Sequence, residues 1–148
     1  MPTIRPIQLP IPGLEDLHAE AQSQGYHFLD TLIDDWASGA IRFDHPGEAL
    51  FGVFEDGTLI AIGGLTIDPF LPSANLGRIR RVFVRAASRN QGVGQALMRA
   101  LIGHARRTFP AVRLRAENAD AARLYERLGF LPIDDPNASH ILRLTTEN

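Results

Sequence analysis

The sequence has no cysteine among its 148 residues, which excludes disulfides, thiolate metal ligands and a cysteine nucleophile. It also lacks an excess of positive charge: 15 Lys and Arg stand against 17 Asp and Glu, so the charge gives no support for a nucleic-acid partner. No stretch approaches the ~20 apolar residues that a membrane span requires. Prolines interrupt the opening segment MPTIRPIQLPIPG, so we expect no signal peptide, no membrane association and a cytoplasmic location.

The composition is that of an ordinary globular protein, with 45% hydrophobic and 22% charged residues. The length fits one domain with a sizeable core, and no internal repeat, low-complexity segment or linker divides the chain. We therefore predict one domain over residues 1–148, as a monomer or a homodimer.

Hydrophobic periodicity predicts the order of the elements. Leu14, Leu17, His18 and Ala21 share one helix face, and so do Leu29, Leu32, Ile33 and Trp36 in a second helix that Gly39 closes. Strands are expected at 3–9, on both sides of Asp56-Gly57 as a hairpin, and at 78–84, 111–115, 130–133 and 139–145. Further helices are expected from about 92 to 105 and from 118 to 128.

The strand at 78–84, the helix that follows it and the strand from 111 form a crossover unit, which makes two strands parallel. The hairpin before them is antiparallel. The predicted fold class is therefore α/β (α+β): a mixed, mostly antiparallel sheet of about six to seven strands with helices on both faces.

The segment SRNQGVGQALM (88–98) lies between the end of a strand and the start of a helix. A helix N-terminus leaves about four backbone N–H groups unpaired and favours an anion. Gly92 and Gly94 lack a Cβ and allow close approach of a phosphate, and Arg89 adds a charge. The alternative is that the two glycines only make a tight turn.

Two common phosphate loops do not fit this segment. A P-loop needs Lys-Ser/Thr after its last glycine, but Gly94 is followed by Gln95 and Ala96. The dinucleotide fingerprint needs a third glycine at the position of Leu97.

Arg89-Asn90-Gln91-Gly92-Val93-Gly94 resembles the Arg/Gln-x-x-Gly-x-Gly/Ala loop of the GNAT superfamily of N-acetyltransferases. The strand before it ends in Val82-Phe83-Val84, with Val84 five residues before Arg89, as in that family. The chain also has the family's later pattern, with Asn118, Ala121, Leu124, Tyr125, Gly129 and Phe130 at matching spacing. The matching core runs from about residue 78 to 130, and the resemblance implies a GNAT-like sheet with a central splayed parallel pair.

The resemblance implies acetyl-CoA as cosubstrate, and no metal is expected. The pantetheine arm is expected between the two parallel strands, on the backbone of Phe83 and Val84. Arg89 and Asn90 begin the pyrophosphate loop, whose N–H groups run from Gln91 through Gly92, Val93 and Gly94 to Gln95. Asn118 is expected to bind the pantetheine arm, although an asparagine there also suits a helix N-cap.

Tyr125 shares a helix face with Asn118, Ala121 and Ala122, while Arg123, Glu126 and Arg127 are expected on a solvated face. In the family, a tyrosine at this place protonates the departing thiolate, which makes Tyr125 the candidate catalytic residue and a cofactor contact. The alternative is a buried packing residue. Because the chain has no cysteine, direct attack of the acceptor amine on the thioester is expected, with an oxyanion held by a backbone N–H near Val84.

The sequence departs from the family where many members carry a glutamate base on the central strand. Those positions are Arg78 and Arg80, which cannot act as bases. Strict alternation would place Arg78, Arg80, Val82 and Val84 on one face of this strand, and Ile79, Arg81 and Phe83 on the other. Either the arginines pair with local carboxylates (Asp68, Glu55 or Glu117), or one of them binds a carboxylate of the acceptor.

Acceptor-binding candidates are Arg78, Arg80, Asp30 and Tyr26. Candidate bases are weak and comprise Asp30, Asp34, Tyr26, His27 and Asp68. The five histidines show no metal-ligand spacing and are interpreted as structural. The predicted function is transfer of an acetyl group from acetyl-CoA to a primary amine of a small molecule or peptide. The alternative is a catalytically weak CoA-binding sensor or scaffold.

Overall fold

The computed structural model describes residues 2–144, which form seven strands and four α-helices. In chain order the elements are β1 (Thr3–Pro6), α1 (Leu14–Ser23), α2 (Phe28–Ser38), β2 (Ala49–Glu55), β3 (Thr58–Ile67), β4 (Gly77–Val84), α3 (Val93–Ala105), β5 (Ala111–Leu114), α4 (Ala119–Arg127), β6 (Leu131–Asp135) and β7 (Ala138–Arg143). Thr145, which the sequence pattern assigns to the last strand, lies outside the described residues.

One sheet in the order β1-β2-β3-β4-β5-β7-β6 contains all seven strands. Every neighbouring pair is antiparallel except β4 and β5, which are parallel. These two strands pair only where Gly77 faces Val112 and Arg78 faces Arg113. Beyond Arg78 the strands separate, so the predicted mixed sheet with a central splayed parallel pair is confirmed.

The hairpin between β2 and β3 turns at Asp56-Gly57, as predicted. Both residues have positive φ, 51° and 80°, which is the geometry of a two-residue turn whose twist matches the strands. Next to the turn, Glu55 faces Thr58 and Phe54 faces Leu59.

Helices cover both faces of the sheet. On one face, Leu17 of α1 and Leu29 and Leu32 of α2 pack against Ile62 and Phe83. On the other face, helices α3 and α4 cover a core that includes Leu97, Leu101, Ile79, Val112 and Tyr125. The predicted apolar stripes of these helices are therefore the faces that are buried.

The prediction of strict alternation along β4 is wrong. The pairing with β3 shifts between Ile62, which faces Phe83, and Gly64, which faces Arg80. One extra residue in β4 is accommodated as a β-bulge, and Arg81 takes a positive φ of 61° there. Ile79 therefore packs under α3, whereas Phe83 packs under α1 and α2, instead of sharing one face.

None of the helices in residues 2–144 has the length and apolar character needed to cross a membrane.

Candidate active site

The glycine-rich loop turns directly into α3. Gly92 is the N-cap of α3 and has a φ of 81°, a conformation that L side chains rarely adopt. A Cβ built on Gly92 would meet no atom within 4 Å, so the space beside this backbone is open. Gly92 thus makes the tight turn and also leaves room beside the helix N-terminus, where backbone N–H groups favour an anion.

A cavity of about 560 Å³ opens against this loop, and we call it the loop cavity. Five predicted cofactor residues from the loop line it: Arg89, Asn90, Gly92, Gly94 and Gln95. Four more come from β4 and α4: Phe83, Val84, Asn118 and Tyr125. The structure therefore brings together residues that lie up to about 40 positions apart in the chain.

Two predicted cofactor residues of the loop do not present their side chains to the loop cavity. The side-chain amide of Gln91 donates to the carbonyl of Ala87 at 3.0 Å. Val93 is buried in the core beneath α3. For both residues, only the backbone N–H remains available for the predicted contact with phosphate.

Arg89 is held over β4 by three contacts. Its Nε donates to the carbonyl oxygen of Val84 at 2.9 Å, and one Nη donates to Gln24 at 2.6 Å. Its guanidinium lies 5.4 Å from the ring centre of Phe83. These contacts orient the cation at the edge of the loop cavity without neutralising it.

Asn118 has two partners, one on each side of its amide group. Its Oδ1 accepts from the N–H of Ala121 at 2.8 Å, so the predicted N-cap of α4 is present. Its Nδ2 donates to the hydroxyl of Tyr26 at 3.1 Å. Tyr26, predicted to bind the acceptor, therefore lies beside Asn118 in the loop cavity.

A second cavity, of about 260 Å³, lies where β4 and β5 separate, and we call it the arginine cavity. Four arginines line it: Arg78, Arg80, Arg81 and Arg115. Phe28, Val82, Glu117 and Tyr125 line both cavities and so mark their junction. A group bound in one cavity thus lies next to a group bound in the other.

Tyr125 is 7% exposed and packs against Phe130, with ring centres 5.9 Å apart. Burial, assisted by the nearby charge of Glu117, raises the pKa of the Tyr125 hydroxyl to about 12. The hydroxyl is therefore protonated at neutral pH and can donate a proton at the junction of the cavities.

The arginines of β4 have different environments. Arg78 is buried, lies 3.8 Å from the Asp68 carboxylate, donates to the carbonyl of Asn137 at 2.7 Å and stacks over Phe70. Arg81 lies 3.8 Å from Asp35 of α2.

The guanidinium of Arg80 has no hydrogen bond or ion pair with any residue of 2–144. Burial and the charges of Arg81 and Arg78 lower its pKa to about 10. Of the two alternatives raised by the sequence, the first applies to Arg78, which pairs with Asp68, whereas Arg80 has no carboxylate partner among residues 2–144.

The carboxylates predicted as bases lie outside both cavities. Asp30 is held by His18, His27 and Gln22, and the hydrogen bond from His18 is the main cause that lowers its pKa. Asp34 is exposed on α2, and Asp68 is fully buried against Arg113. Of all the predicted bases, only Tyr26 lines either of these two cavities.

Glu117 is a functional candidate that sequence reasoning considered only as an ion-pair partner. It is exposed, follows β5 and precedes the N-cap of α4. Among the described residues it is the only carboxylate that lines the arginine cavity. Its position beside the Asn118 motif was the available signal, but the sequence does not show that β5 ends at this junction.

The polar face of α4 is exposed as predicted, and it also makes contacts that periodicity does not reveal. Arg123 and Arg127 line the loop cavity, and Arg123 pairs with Asp120. Glu126 forms a 2.8 Å hydrogen bond with Nε2 of His140, which is buried in β7. This bond fixes α4 against the sheet one residue after Tyr125.

Asp44, His45 and Glu48 bring their ligand atoms within 4.8 Å of one another at the protein surface. The Glu48 carboxylate already accepts the backbone N–H groups of His45 and Ile67, at 3.2 Å and 2.8 Å. These bonds explain why Glu48 lies there and stabilise the loop that enters β2.

Comparisons with known proteins agree with this geometry. The model of the acetyltransferase (GNAT) family matches residues 11–130. A protein assigned as an acetyltransferase from Exiguobacterium sp. 255-15 is 26% identical, with a TM-score of 0.87 over 97% of this chain and 93% of the other. No curated protein sequence matches this chain significantly.

Two more distant structures share the fold. The ribosomal-protein-S18-alanine N-acetyltransferase of Escherichia coli is 22% identical, with a TM-score of 0.68 over 100% of this chain and 96% of that one. Arabidopsis thaliana NAA60, solved with a bisubstrate analogue, is 15% identical, with a TM-score of 0.70 over 99% and 100% of the two chains.

The chain belongs to the acetyltransferase (GNAT) family, because the family model covers most of its length and both sequence motifs meet at one site. Membership implies acetyl transfer that depends on acetyl-CoA.

Proposed function

We propose that this protein transfers an acetyl group from acetyl-CoA directly to a primary amine, with acetyl-CoA in the loop cavity and the amine in the arginine cavity. The observation that carries the proposal is the position of Tyr125, which lines both cavities at their junction. A proton donor at this place lies where a donor and an acceptor of the acetyl group would meet.

Two features of the loop cavity support a site for coenzyme A. The N-terminus of α3 offers backbone N–H groups to a pyrophosphate, and the open space at Gly92 permits close approach. Arg89 and Arg127 add positive charge, and Arg127 has no ion pair within residues 2–144. Acetyl-CoA, when bound, supplies the acetyl group as an activated thioester.

Tyr125 is proposed to protonate the departing sulfur. A thiolate with a pKa of about 8.5 leaves more readily when a donor is close. Burial keeps the hydroxyl protonated, because it raises the pKa of Tyr125 to about 12.

Glu117 is proposed to accept the proton of the acceptor ammonium, directly or through water. Arginine stands where other family members carry a base on the central strand, so the base would come from another element. Glu117 lines both cavities, whereas Asp68 and Asp30 are engaged in other contacts. Since the chain has no cysteine, no acetyl-cysteine intermediate can form between the donor and the acceptor.

The decisive experiment combines calorimetric titration with CoA and a thiol-release assay with acetyl-CoA and a panel of primary amines, including peptides. Thiol release that requires an amine, with the N-acetylated product identified by mass spectrometry, supports the proposal. CoA binding without amine-dependent release would favour a sensor or scaffold instead. Absence of CoA binding would contradict both functions.

A further inference from the structure

The arginine cavity carries more positive charge than the protein itself balances. Four guanidinium groups line it, and Glu117 is the single carboxylate among the described lining residues. Guanidinium groups remain protonated at neutral pH, so the cavity is strongly cationic. A site of this kind favours an anion.

Three of the four arginines are already held in place. Arg78 donates to the carbonyl of Asn137, Arg115 donates to the carbonyl of Pro136, and Arg81 lies beside the Asp35 carboxylate. Carbonyl groups orient a guanidinium but carry no net charge, so Arg115 is not neutralised, and Arg78 only shares the Asp68 carboxylate with Arg113. Asp68, the one fully buried carboxylate nearby, forms its close bond with Arg113.

Arg80 differs from these three. Its backbone pairs with Gly64 of β3, but its guanidinium has neither a hydrogen bond nor an ion pair within residues 2–144. The side chain is partly buried, so it has lost part of its hydration without gaining a partner. An unpaired, partly desolvated charge is costly, and an oxyanion bound in the cavity would remove that cost.

We propose that the acceptor is a small primary amine that also carries an oxyanion, either a carboxylate or a phosphate, and that Arg80 binds this group. The inference rests on the proposed acetyl transfer and identifies its substrate class. The planar fork of a guanidinium matches both oxyanions with two parallel hydrogen bonds. A volume of about 260 Å³ is below that of a site for a drug-sized ligand, so the acceptor is small.

This arrangement also orients the acceptor. An oxyanion at Arg80 leaves the amine at the other end of the molecule to reach the junction, where Glu117 and Tyr125 lie. Arg80 would then act mainly on acceptor affinity, whereas Tyr125 would act on the chemical step.

The experiment uses acceptors in matched pairs and measures acetyl-CoA-dependent thiol release by the full chain. Amino acids are paired with their amides, and 2-aminoethyl phosphate is paired with 2-aminoethanol, so the two arms distinguish a carboxylate from a phosphate. A third arm pairs tripeptides with Asp or Asn at the free N-terminus. We expect one small anionic acceptor to exceed its neutral partner in kcat/KM by about 10- to 100-fold, the range of a charge-assisted hydrogen bond.

Arg80→Gln should raise KM for the anionic acceptor by a similar factor, leave its neutral partner unaffected and keep CoA affinity unchanged. Arg80→Lys, which keeps the charge but not the fork, should lie between Arg80→Gln and the wild type. Arg99→Gln, which removes an exposed guanidinium from α3, is the matched control and should behave as the wild type. If Arg80→Gln does not fold, the inference is tested by comparing kcat/KM for the matched acceptor pairs between the wild type and Arg80→Lys.

Equal rates for anionic and neutral partners would overturn the inference and leave the acetyltransferase proposal standing. The inference would also be overturned if Arg80→Gln kept the preference for the anionic acceptor over its neutral partner. It would likewise be overturned if the tripeptides were acetylated and none of the small amines were. Absence of thiol release with every amine would instead refute the proposed function, and the inference with it.

Discussion

The Nε of Arg113 donates to the carboxylate of Asp68 at 2.7 Å, and both side chains are buried. Arg113 lies on β5 and Asp68 directly follows β3, so the bond links the two neighbours of β4. It lies at the last paired position of β4 and β5, beyond which these strands separate. Arg113 also lies 3.1 Å from Asp135 of β6. Its contacts with these carboxylates, the hydrogen bond to Asp68 first, raise the pKa of Arg113, so the cation is permanent.

Asp68→Asn should destabilise the fold strongly, because it leaves the charge of Arg113 buried without its closest partner. Removing one member of a buried pair costs about 3–5 kcal/mol. Asp135→Asn is the matched control, since its side chain is 30% exposed and solvent can replace it, and we expect a clearly smaller loss. Urea unfolding measures the free energy of unfolding of both variants. Equal losses would show that the bond to Asp68 stabilises the fold no more than the contact with Asp135 does.

Tyr125→Phe should lower kcat by at least about tenfold while CoA affinity stays within a few-fold, because it removes the proton donor and keeps the ring. With a pKa of about 12, Tyr125 is only roughly 1% ionised at pH 10, compared with roughly half for an ordinary tyrosine. The wild-type kcat should therefore show no decline due to Tyr125 up to pH 10. A variant with wild-type kcat at every pH would make Tyr125 a packing residue.

Glu117→Gln should lower kcat by about 10²-fold if this carboxylate takes the acceptor proton. CoA affinity should change little, because the substitution is isosteric and the loop proposed to hold the phosphates is intact. Glu15→Gln, an exposed carboxylate at the start of α1, is the control and should leave kcat unchanged. Turnover of the glutamine variant at the wild-type rate would show that a group other than Glu117 takes the acceptor proton.

Gly94→Glu separates phosphate binding from folding better than a change at Gly92, whose positive φ would strain any other residue. A Cβ on Gly94 would lie in the loop cavity at ordinary contact distance, 3.6 Å, from Leu124 and Val84. A carboxylate is favourable in the first turn of a helix, so Tm should change little. The added side chain and its negative charge should oppose a pyrophosphate, so CoA affinity, measured by calorimetry, should fall tenfold or more; unchanged affinity would contradict the proposed placement of the pyrophosphate. Gly94→Ala, which the related loops also tolerate, is the matched control and should keep CoA affinity within a few-fold.

Gly64→Ala should destabilise the protein by about 1–3 kcal/mol through overpacking. The added Cβ would come 2.9 Å from Cζ of Phe43, and closer still to its Cε1, while that ring is buried and stacked on Trp36. Gly103→Ala on α3, whose added Cβ would meet nothing within 4 Å, is the control and should be neutral or stabilising. Chemical unfolding of both variants measures the difference, and equal stabilities would mean that Phe43 moves at no cost.

Much of the fold could be predicted from the sequence because its signals are local. Helical spacing of Leu29 and Leu32 identified the buried face of α2, and Asp56-Gly57 identified the hairpin turn. The loop and the Asn118 motif indicated the family without any tertiary information. Each of these patterns reflects a conformational preference or a short-range contact that the neighbouring residues carry by themselves.

Tertiary structure decided what depends on partners distant in the chain. The bulge at Arg81 arises from the register between β3 and β4, which the alternation of β4 alone cannot reveal. Asp68 lies close to Arg78 and to Arg113 because strands β3, β4 and β5 are neighbours, and this leaves Arg80 without a partner among the described residues. Residue types and spacing thus determined the family, whereas the pairing of charges across strands determined which arginine of β4 is left without a carboxylate partner among residues 2–144.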